Sequence, residues 1–332
     1  MARFGLYFGA TLPLDQLSEL AQHAERAGFD GWFCTEHHQQ EGINPSPLTT
    51  LAALAGRTEK LRLGTAVLLP PLYHPTRLAA DAAVLDVLSG GRLILGAGLG
   101  YQGGDFDAFG IPLAQRVSLF EEAIAILKLA WTTERFSFAG RRYRLDDIEV
   151  VPKPVQSPRP PIWLAGWTPP GVRRAARLGD AWLTDPILSL DAVNQLRDVY
   201  RDEAAAHGTT PEIVLMRPLA LGTSRAAAEQ TYAEAAVGAY RYYWRHGALN
   251  ADLEPWLQAV ESESHLTWDR LAPERVIFGT PDDCVVQARE WFAATGSDYM
   301  ILSVSPGAGT DRWAEMKAAI ELFGREVIPA LR

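Results

Sequence analysis

The chain predicts an α/β fold, a (β/α)8 TIM barrel, with an insertion or lid around residues 244–273. Three observations carry this expectation. Short apolar runs of strand length alternate with longer runs of helical periodicity, the pattern of a parallel sheet covered by helices. About eight such strands fit into roughly 300 residues, as a closed barrel requires. The full length, 332 residues, is one that a barrel fills as one unit, so residues 1–332 read as a single domain.

The elements follow in order. Residues 4–8 are an aromatic and aliphatic run ending at Gly9. Residues 15–27 place Leu17, Leu20, Ala21 and Ala24 on one helical face, with Asp15 near the cap and Gly28 just past the end. Strand 31–35 is followed by a proline-opened helix, 47–57. Strand 61–69 stops at Pro70-Pro71, and Pro75 suits the first turn of helix 75–88. Strand 92–97 leads through a loop to the long amphipathic helix 113–131. A polar, proline-rich stretch, 146–161, precedes strand 162–165, helix 170–178 and strand 181–183. Helix 189–206, strand 212–221, helix 224–243, helix 281–294 and strand 298–304 complete the rhythm. Only 244–273, rich in Trp, His and Glu, interrupts it.

Composition narrows the function. Apolar residues make up 48% and charged residues 21%, the balance of a soluble globular protein. Net charge is −9 and no Lys/Arg block offers a footprint for nucleic acid or an acidic membrane surface, so neither partner is expected. No stretch reaches the roughly 18 consecutive apolar residues that span a bilayer. The opening MARFGLYFGATLPL reads as a first strand and not as a signal peptide, because glycines and a proline interrupt it and no small-residue cleavage site follows. Two cysteines, Cys34 and Cys284, are too few for a disulfide framework and point to a reducing cytoplasm.

Three stretches carry candidate chemistry. CTEHHQQEG (34–42) sits at the end of the second strand, on the face where barrel active sites lie. On an extended chain His37 and His38 point to opposite sides, and neither H-x-H nor H-E-x-x-H occurs, so a metal site is not expected. Acid/base chemistry, ligand positioning and ordinary loop hydrogen bonding stay open for this pair. GLGYQG (98–103) matches G-x-G-x-x-G, but GDFDAFGIP continues it as a loop, so a backbone approaching a ligand is expected and not a dinucleotide fold. GWTPPG (166–171) precedes a helix. Its free donors, those of Trp167, Thr168, Gly171 and Val172, could hold an anion, or Thr168 could simply cap the helix. Cys34 reads as a packed apolar residue, and no G-x-S-x-G elbow is present.

FDGWFCTEHHQQEG (29–42), the run LRLGTAVLLPPLYHPTRLAADAAVLDVLSGGRLILGAGLGYQGGDFDAFGIPLAQR (61–116), PPIWLAGWTPPGVRRAARLGDAWL (160–183) and VIFGTPDDCVVQAREWFAATGSDYMIL (276–302) together resemble the bacterial luciferase-like flavin-dependent oxidoreductases. Region 186–275 carries little of the resemblance. The resemblance implies a TIM barrel with a reduced flavin or deazaflavin at its C-terminal mouth. It implies a monooxygenase that takes reduced FMN from a separate flavin reductase and uses O2 to oxygenate a small organic substrate through a C4a-peroxyflavin. F420-dependent hydride transfer is the alternative, and a catalytically silent flavin-binding relative is a second. E-H-H and the lack of a basic cluster for a long F420 tail favour FMN.

By resemblance His37 lies at the reactive edge of the flavin, as base or as support for the oxygenated form. GTAVLLP places a non-proline cis peptide at Ala66–Val67, against the ring. Gly98 and Tyr101 flank the flavin. Gly166, Trp167, Thr168 and Gly171 match the phosphate region. The arginine that grips the phosphate in bacterial luciferase proper falls on Leu99, so that grip differs here and light emission is not implied. No metal is implied, and a homodimer is a possible assembly of the family. Trp167, Tyr240, Tyr243, Trp244, Trp256 and Trp268 read as core aromatics first and pocket walls second.

Overall fold

The computed structural model describes residues 1–40, 42–210, 212–304 and 313–332. Eleven strands are present among them: β1 (Arg3–Phe8), β2 (Gly31–Cys34), β3 (Arg62–Thr65), β4 (Leu93–Ala97), β5 (Phe136–Ala139), β6 (Arg144–Ile148), β7 (Ile162–Ala165), β8 (Ala181–Leu183), β9 (Ile213–Leu221), β10 (Ile277–Gly279) and β11 (Tyr299–Ser303). Eight are parallel and close on themselves in the order β1-β2-β3-β4-β7-β8-β9-β11, with β11 returning to β1 through Arg3↔Tyr299 to Tyr7↔Ser303. This is the closed barrel that the alternation predicts. β10 adds to the far end of the long β9, pairing Ile277↔Leu219.

The helices are α1 (Leu14–Arg26), α2 (Pro47–Ala55), α3 (Pro75–Leu88), α4 (Gly103–Ala108), α5 (Arg116–Thr132), α6 (Pro169–Leu178), α7 (Leu190–His207), α8 (Arg225–Arg245), α9 (Trp268–Leu271), α10 (Pro281–Thr295), α11 (Trp313–Leu322) and α12 (Ile328–Leu331). Their ends carry the expected chemistry. Ser189, Ser224 and Thr280 cap α7, α8 and α10, the last as a full capping box with Asp283. Gly208 and Gly296 close α7 and α10 at φ 65° and 74°, the left-handed conformation that glycine adopts without strain.

Strand alternation sorts the core into two layers. Phe33, Ile94, Trp163, Leu183, Val214 and Ile301 fill the barrel interior, while their neighbours Trp32, Leu93, Leu95, Ile162 and Met300 pack outward against the helices. Phe33 and Trp163 stack inside at 5.6 Å. The Phe33 ring fits because inward positions on three strands are glycine. A Cβ at Gly5, Gly31 or Gly64 would come within 2.6, 2.8 or 2.4 Å of a ring carbon of Phe33 or another side chain there.

Three differences from the sequence reading have physical causes. The proline-rich connection after α5 begins as an antiparallel hairpin, β5–β6, in which most side chains are exposed, so it lacks an apolar signal. GDFDAFGIP is not all loop: α4 forms on it because Phe106 finds a buried place against Leu69 and Leu72. After residue 304 the sequence reading places no element, whereas α11, a π-helical turn (Phe323–Val327) and α12 pack Phe323 against Phe4 and Phe29. The segment between α8 and β10 is an insertion of short helical turns, as expected. Among the described residues no helix is long and apolar enough to cross a membrane.

Candidate active site at the barrel mouth

The C-terminal ends of the barrel strands surround a cavity of about 210 Å³. His37, Ala66, Val67, Gly98, Tyr101, Gly166, Trp167, Thr168 and Gly171, the nine residues singled out in the sequence, all line it.

β2 carries Thr35, Glu36 and His37 to the rim. Glu36 is 1% exposed yet fully engaged: the Leu69 N–H donates to Oε2 at 2.7 Å, the Tyr73 hydroxyl donates to Oε1 at 2.8 Å, and His38 Nε2 lies 2.8 Å from Oε1. One buried carboxylate thereby fastens the loop after β2 to the turn after β3. The bond to Glu36 also holds the His38 imidazole above its ordinary pKa. His38 is spent on Glu36 and on the edge of Phe109, and of the two histidines only His37 lines the cavity.

His37 is positioned from both sides. Its backbone N–H donates to the Asn44 carbonyl at 3.2 Å. Its ring Nδ1 lies 3.4 Å from Gln102 Nε2. Donor and acceptor roles follow along the chain: Gln40 Nε2 donates to the Tyr242 hydroxyl, which donates to Gln102 Oε1 at 3.1 Å, leaving the Gln102 amide N–H facing His37. Nδ1 therefore accepts, and the neutral ring carries its proton on Nε2. Burial, with the nearby His38 charge second, pushes the His37 pKa down to about 4, so the ring is neutral at physiological pH.

The adjoining wall comes from the end of β3. The Ala66–Val67 peptide bond is cis, at the position the resemblance implies. The Ala66 N–H donates to the Cys34 carbonyl at 2.8 Å, the Glu36 N–H to the Val67 carbonyl at 3.1 Å, and the Leu68 N–H to the Gly96 carbonyl at 2.9 Å. The segment is thus laced between β2 and β4. Gly98 passes it closely: a Cβ there would lie 2.6 Å from Val67 Cγ2 and force that side chain to move.

The turn before α6 corrects one expectation. Thr168 caps the helix, accepting from the Gly171 N–H at 3.4 Å through Oγ1. The Val172 N–H is already bonded to the Thr168 carbonyl at 2.9 Å and is no free donor. With prolines at 169 and 170, this helix start offers few N–H groups to an anion.

Apart from Glu36, sequence reading missed the charged residues of the cavity. Arg116, at the start of α5, is its only Lys or Arg among the described residues. Asp185, after β8, is a carboxylate whose pKa burial pushes up to about 6. Tyr7, Gln102 and Tyr243 complete the wall. Nothing local distinguishes Arg116 from the other 30 of the 31 basic residues, since only the fold brings α5 beside α6. Of the aromatic residues considered for a pocket, Trp167 and Tyr243 line this cavity, and Tyr240 and Tyr243 line an adjoining one of about 480 Å³. Trp244, Trp256 and Trp268 pack against the core. Residues 247–252 of the insertion adjoin Trp167 and Thr168 at the rim. Among the described residues no group of three His, Cys, Asp or Glu side chains is placed to hold a metal ion.

The fold alone hosts many chemistries, and comparison with known proteins identifies the class as luciferase-like oxidoreductases. The luciferase-like monooxygenase family matches residues 2–299, and the chain belongs to that family. It is 28% identical over 328 residues to the oxygenase component of a flavin-dependent trigonelline monooxygenase of Acinetobacter baylyi, covering 95% of this chain and 89% of that one. It is 27% identical over 338 residues to an F420-dependent glucose-6-phosphate dehydrogenase of Nakamurella multipartita, covering 96% and 92%. A protein of Sinorhizobium fredii with no assigned function is 36% identical over 192 residues, and there the match spans about half of each chain, 57% and 55%. Among solved structures, the monooxygenase RslO1 of Streptomyces bottropensis superposes with a TM-score of 0.82 at 27% identity over 99% of this chain and 100% of that one. The relatives thus include both flavin-dependent monooxygenases and F420-dependent dehydrogenases.

Proposed function

We propose that this protein is the oxygenase component of a two-component monooxygenase that uses reduced FMN, delivered by a separate flavin reductase, and O2 to oxygenate a small organic substrate. The observation that carries this reading is the charge of the mouth: Arg116, its one arginine among the described residues, suits a single phosphate and not the long anionic tail of F420. The two buried, unpaired cysteines accord with a reducing cytoplasm.

The residues present fit the cofactor. Ala66, Val67, Leu69, Ala165 and Met216 give the cavity apolar walls, and Gly98, Gly166 and Gly171 let backbone come close. Arg116 would meet the phosphate with a charge-assisted hydrogen bond, and Thr168 would stand beside it. Tyr101 and Trp167, edge to face at 5.5 Å, would border the ring system. Bound reduced flavin supplies the two electrons that activate O2.

His37 then acts as a hydrogen-bond donor. Its Nε2–H, set by the Gln102 contact at Nδ1, is available to an oxygen with developing negative charge, and its neutrality keeps it from giving its proton away outright. Glu36, already saturated by three partners, holds the loop and does not move protons.

Fluorescence titrations with FMN, riboflavin and F420 test the reading. FMN is expected to bind, and Arg116→Gln is expected to weaken FMN roughly ten- to a hundredfold while leaving riboflavin, which lacks the phosphate, nearly unchanged. Binding of F420 alone sinks the proposal.

A further inference from the structure

We propose that Asp185 is the substrate-orienting group of this site and that the chamber it faces takes a small organic cation. The inference rests on reading the barrel-mouth cavity as the reaction chamber.

Three carboxylates line that cavity: Glu36, Asp105 and Asp185. Two are committed. Glu36 is saturated by Leu69, Tyr73 and His38. Asp105 accepts the His38 backbone N–H and lies beside the His38 ring, whose pKa is raised. Asp185 differs. Its Oδ1 takes the Ile187 N–H at 3.1 Å, and among the described residues no other hydrogen bond or ion pair reaches its carboxylate.

The nearest cation attracts its charge but makes no hydrogen bond to its carboxylate. Arg217, on β9, aims its donors at the Leu188 carbonyl (2.6 Å), the Asp185 backbone carbonyl (2.7 Å) and Thr184 Oγ1 (3.4 Å), and lays its guanidinium over the Trp291 ring at 4.2 Å. Burial nonetheless keeps the Asp185 pKa near 6, so the group is ionised above neutrality with one oxygen unspent.

Asp185 is half-buried at the barrel mouth, and an unpaired carboxylate there is costly until a cation joins it. The surrounding walls suit such a partner. Tyr7 and Tyr243 line both this cavity and the chamber beside it, and burial raises the pKa of both phenols, so they stay neutral. Aromatic faces around a carboxylate attract an alkylated ammonium or N-alkyl heteroaromatic ring by electrostatics and by dispersion. The adjoining chamber of about 480 Å³ shares Tyr7, Pro186, Met216 and Tyr243 with this one and gives the apolar remainder of such a molecule a place. Arg116 is the only fixed cation among the described lining residues, and the functional reading assigns it to the cofactor phosphate.

Isothermal titration calorimetry of the FMN-loaded protein at about pH 8, where Asp185 is ionised, tests this with choline and its neutral isostere 3,3-dimethylbutan-1-ol. Choline is expected to bind about tenfold more tightly or better. Asp185→Asn is expected to erase that preference with the affinity for the alcohol unchanged, and Asp185→Glu to restore part of it. Equal binding of the two probes, a preference that survives Asp185→Asn, or binding of neither at millimolar concentrations overturns the proposal. FMN titration of the same samples separates the two readings: FMN bound without charge preference fails this inference alone, whereas no FMN binding fails the functional reading beneath it.

Discussion

His37 and Glu36 are adjacent in sequence and opposite in role. Glu36 is buried with three partners, and His37 has a free ring nitrogen facing the cavity. A buried carboxylate with its acceptors filled is a structural clamp, while a neutral imidazole with a directed N–H is a reagent. His37→Ala is therefore expected to cut product formation by roughly 10²-fold or to divert O2 to hydrogen peroxide, with the FMN dissociation constant changed less than about threefold. Product and peroxide assays beside an FMN titration check it; collapse of FMN binding with normal coupling of the remaining activity would make His37 a binding residue. His37 was legible from the sequence, because E-H-H after the second strand is a compact signal. Gln102, Tyr242, Arg116 and Asp185 were not. Their side chains meet only because distant segments converge, as when Tyr242 of α8 bonds Gln102, 140 positions away.

Among the elements, β3 and β4 show how a backbone shapes a site. β3 ends at Thr65, four residues short of the expected 69, and the cis Ala66–Val67 bond follows it. Leu68 rejoins the sheet by a bridge to Ala97. The backbone at Thr65 runs close against β4 at Gly96, where a Cβ would lie 1.9 Å from the Thr65 carbonyl oxygen. No rotamer relieves a clash between backbone and Cβ. Gly96→Ala is expected to cost about 3 kcal/mol or more, seen as a fall in the urea midpoint or as loss of soluble protein. A midpoint within experimental error of the parent would mean that the close approach relaxes in solution. The sequence shows Gly96 only as one glycine among 28. The motif after it misleads in the other direction, for G-x-G-x-x-G ends in a six-residue helix that packs Phe106 beneath the rim and forms no dinucleotide fold.

At the scale of the whole molecule, the mouth of the barrel couples stability to pH. Asp185 is an acid whose folded pKa, about 6, lies above the model-peptide 3.8, so folding favours its protonated form. Its burial costs nothing below the unfolded pKa, and the cost grows as pH rises through the window from 3.8 to about 6. His37 has a folded pKa near 4 against 6.5, so the stability it lends is full above 6.5 and is lost as pH falls through the folded value. Asp185→Asn should accordingly raise stability at neutral pH by on the order of 3 kcal/mol, and the gain should vanish near pH 4. Thermal unfolding from pH 4 to 8 checks it, and a gain independent of pH refutes the assignment. The sequence by itself determined the barrel, because alternation of short apolar strands with amphipathic helices is a local property that each segment carries. It also marked the strand ends and turns where ligands are met, since glycines, prolines and the E-H-H cluster act within a few residues. Only the tertiary structure decided the charge and reach of the site. The arginine, the free carboxylate and the glutamine–tyrosine chain lie on separate loops and helices, and closing the sheet on itself is what brings them within hydrogen-bond distance of one space.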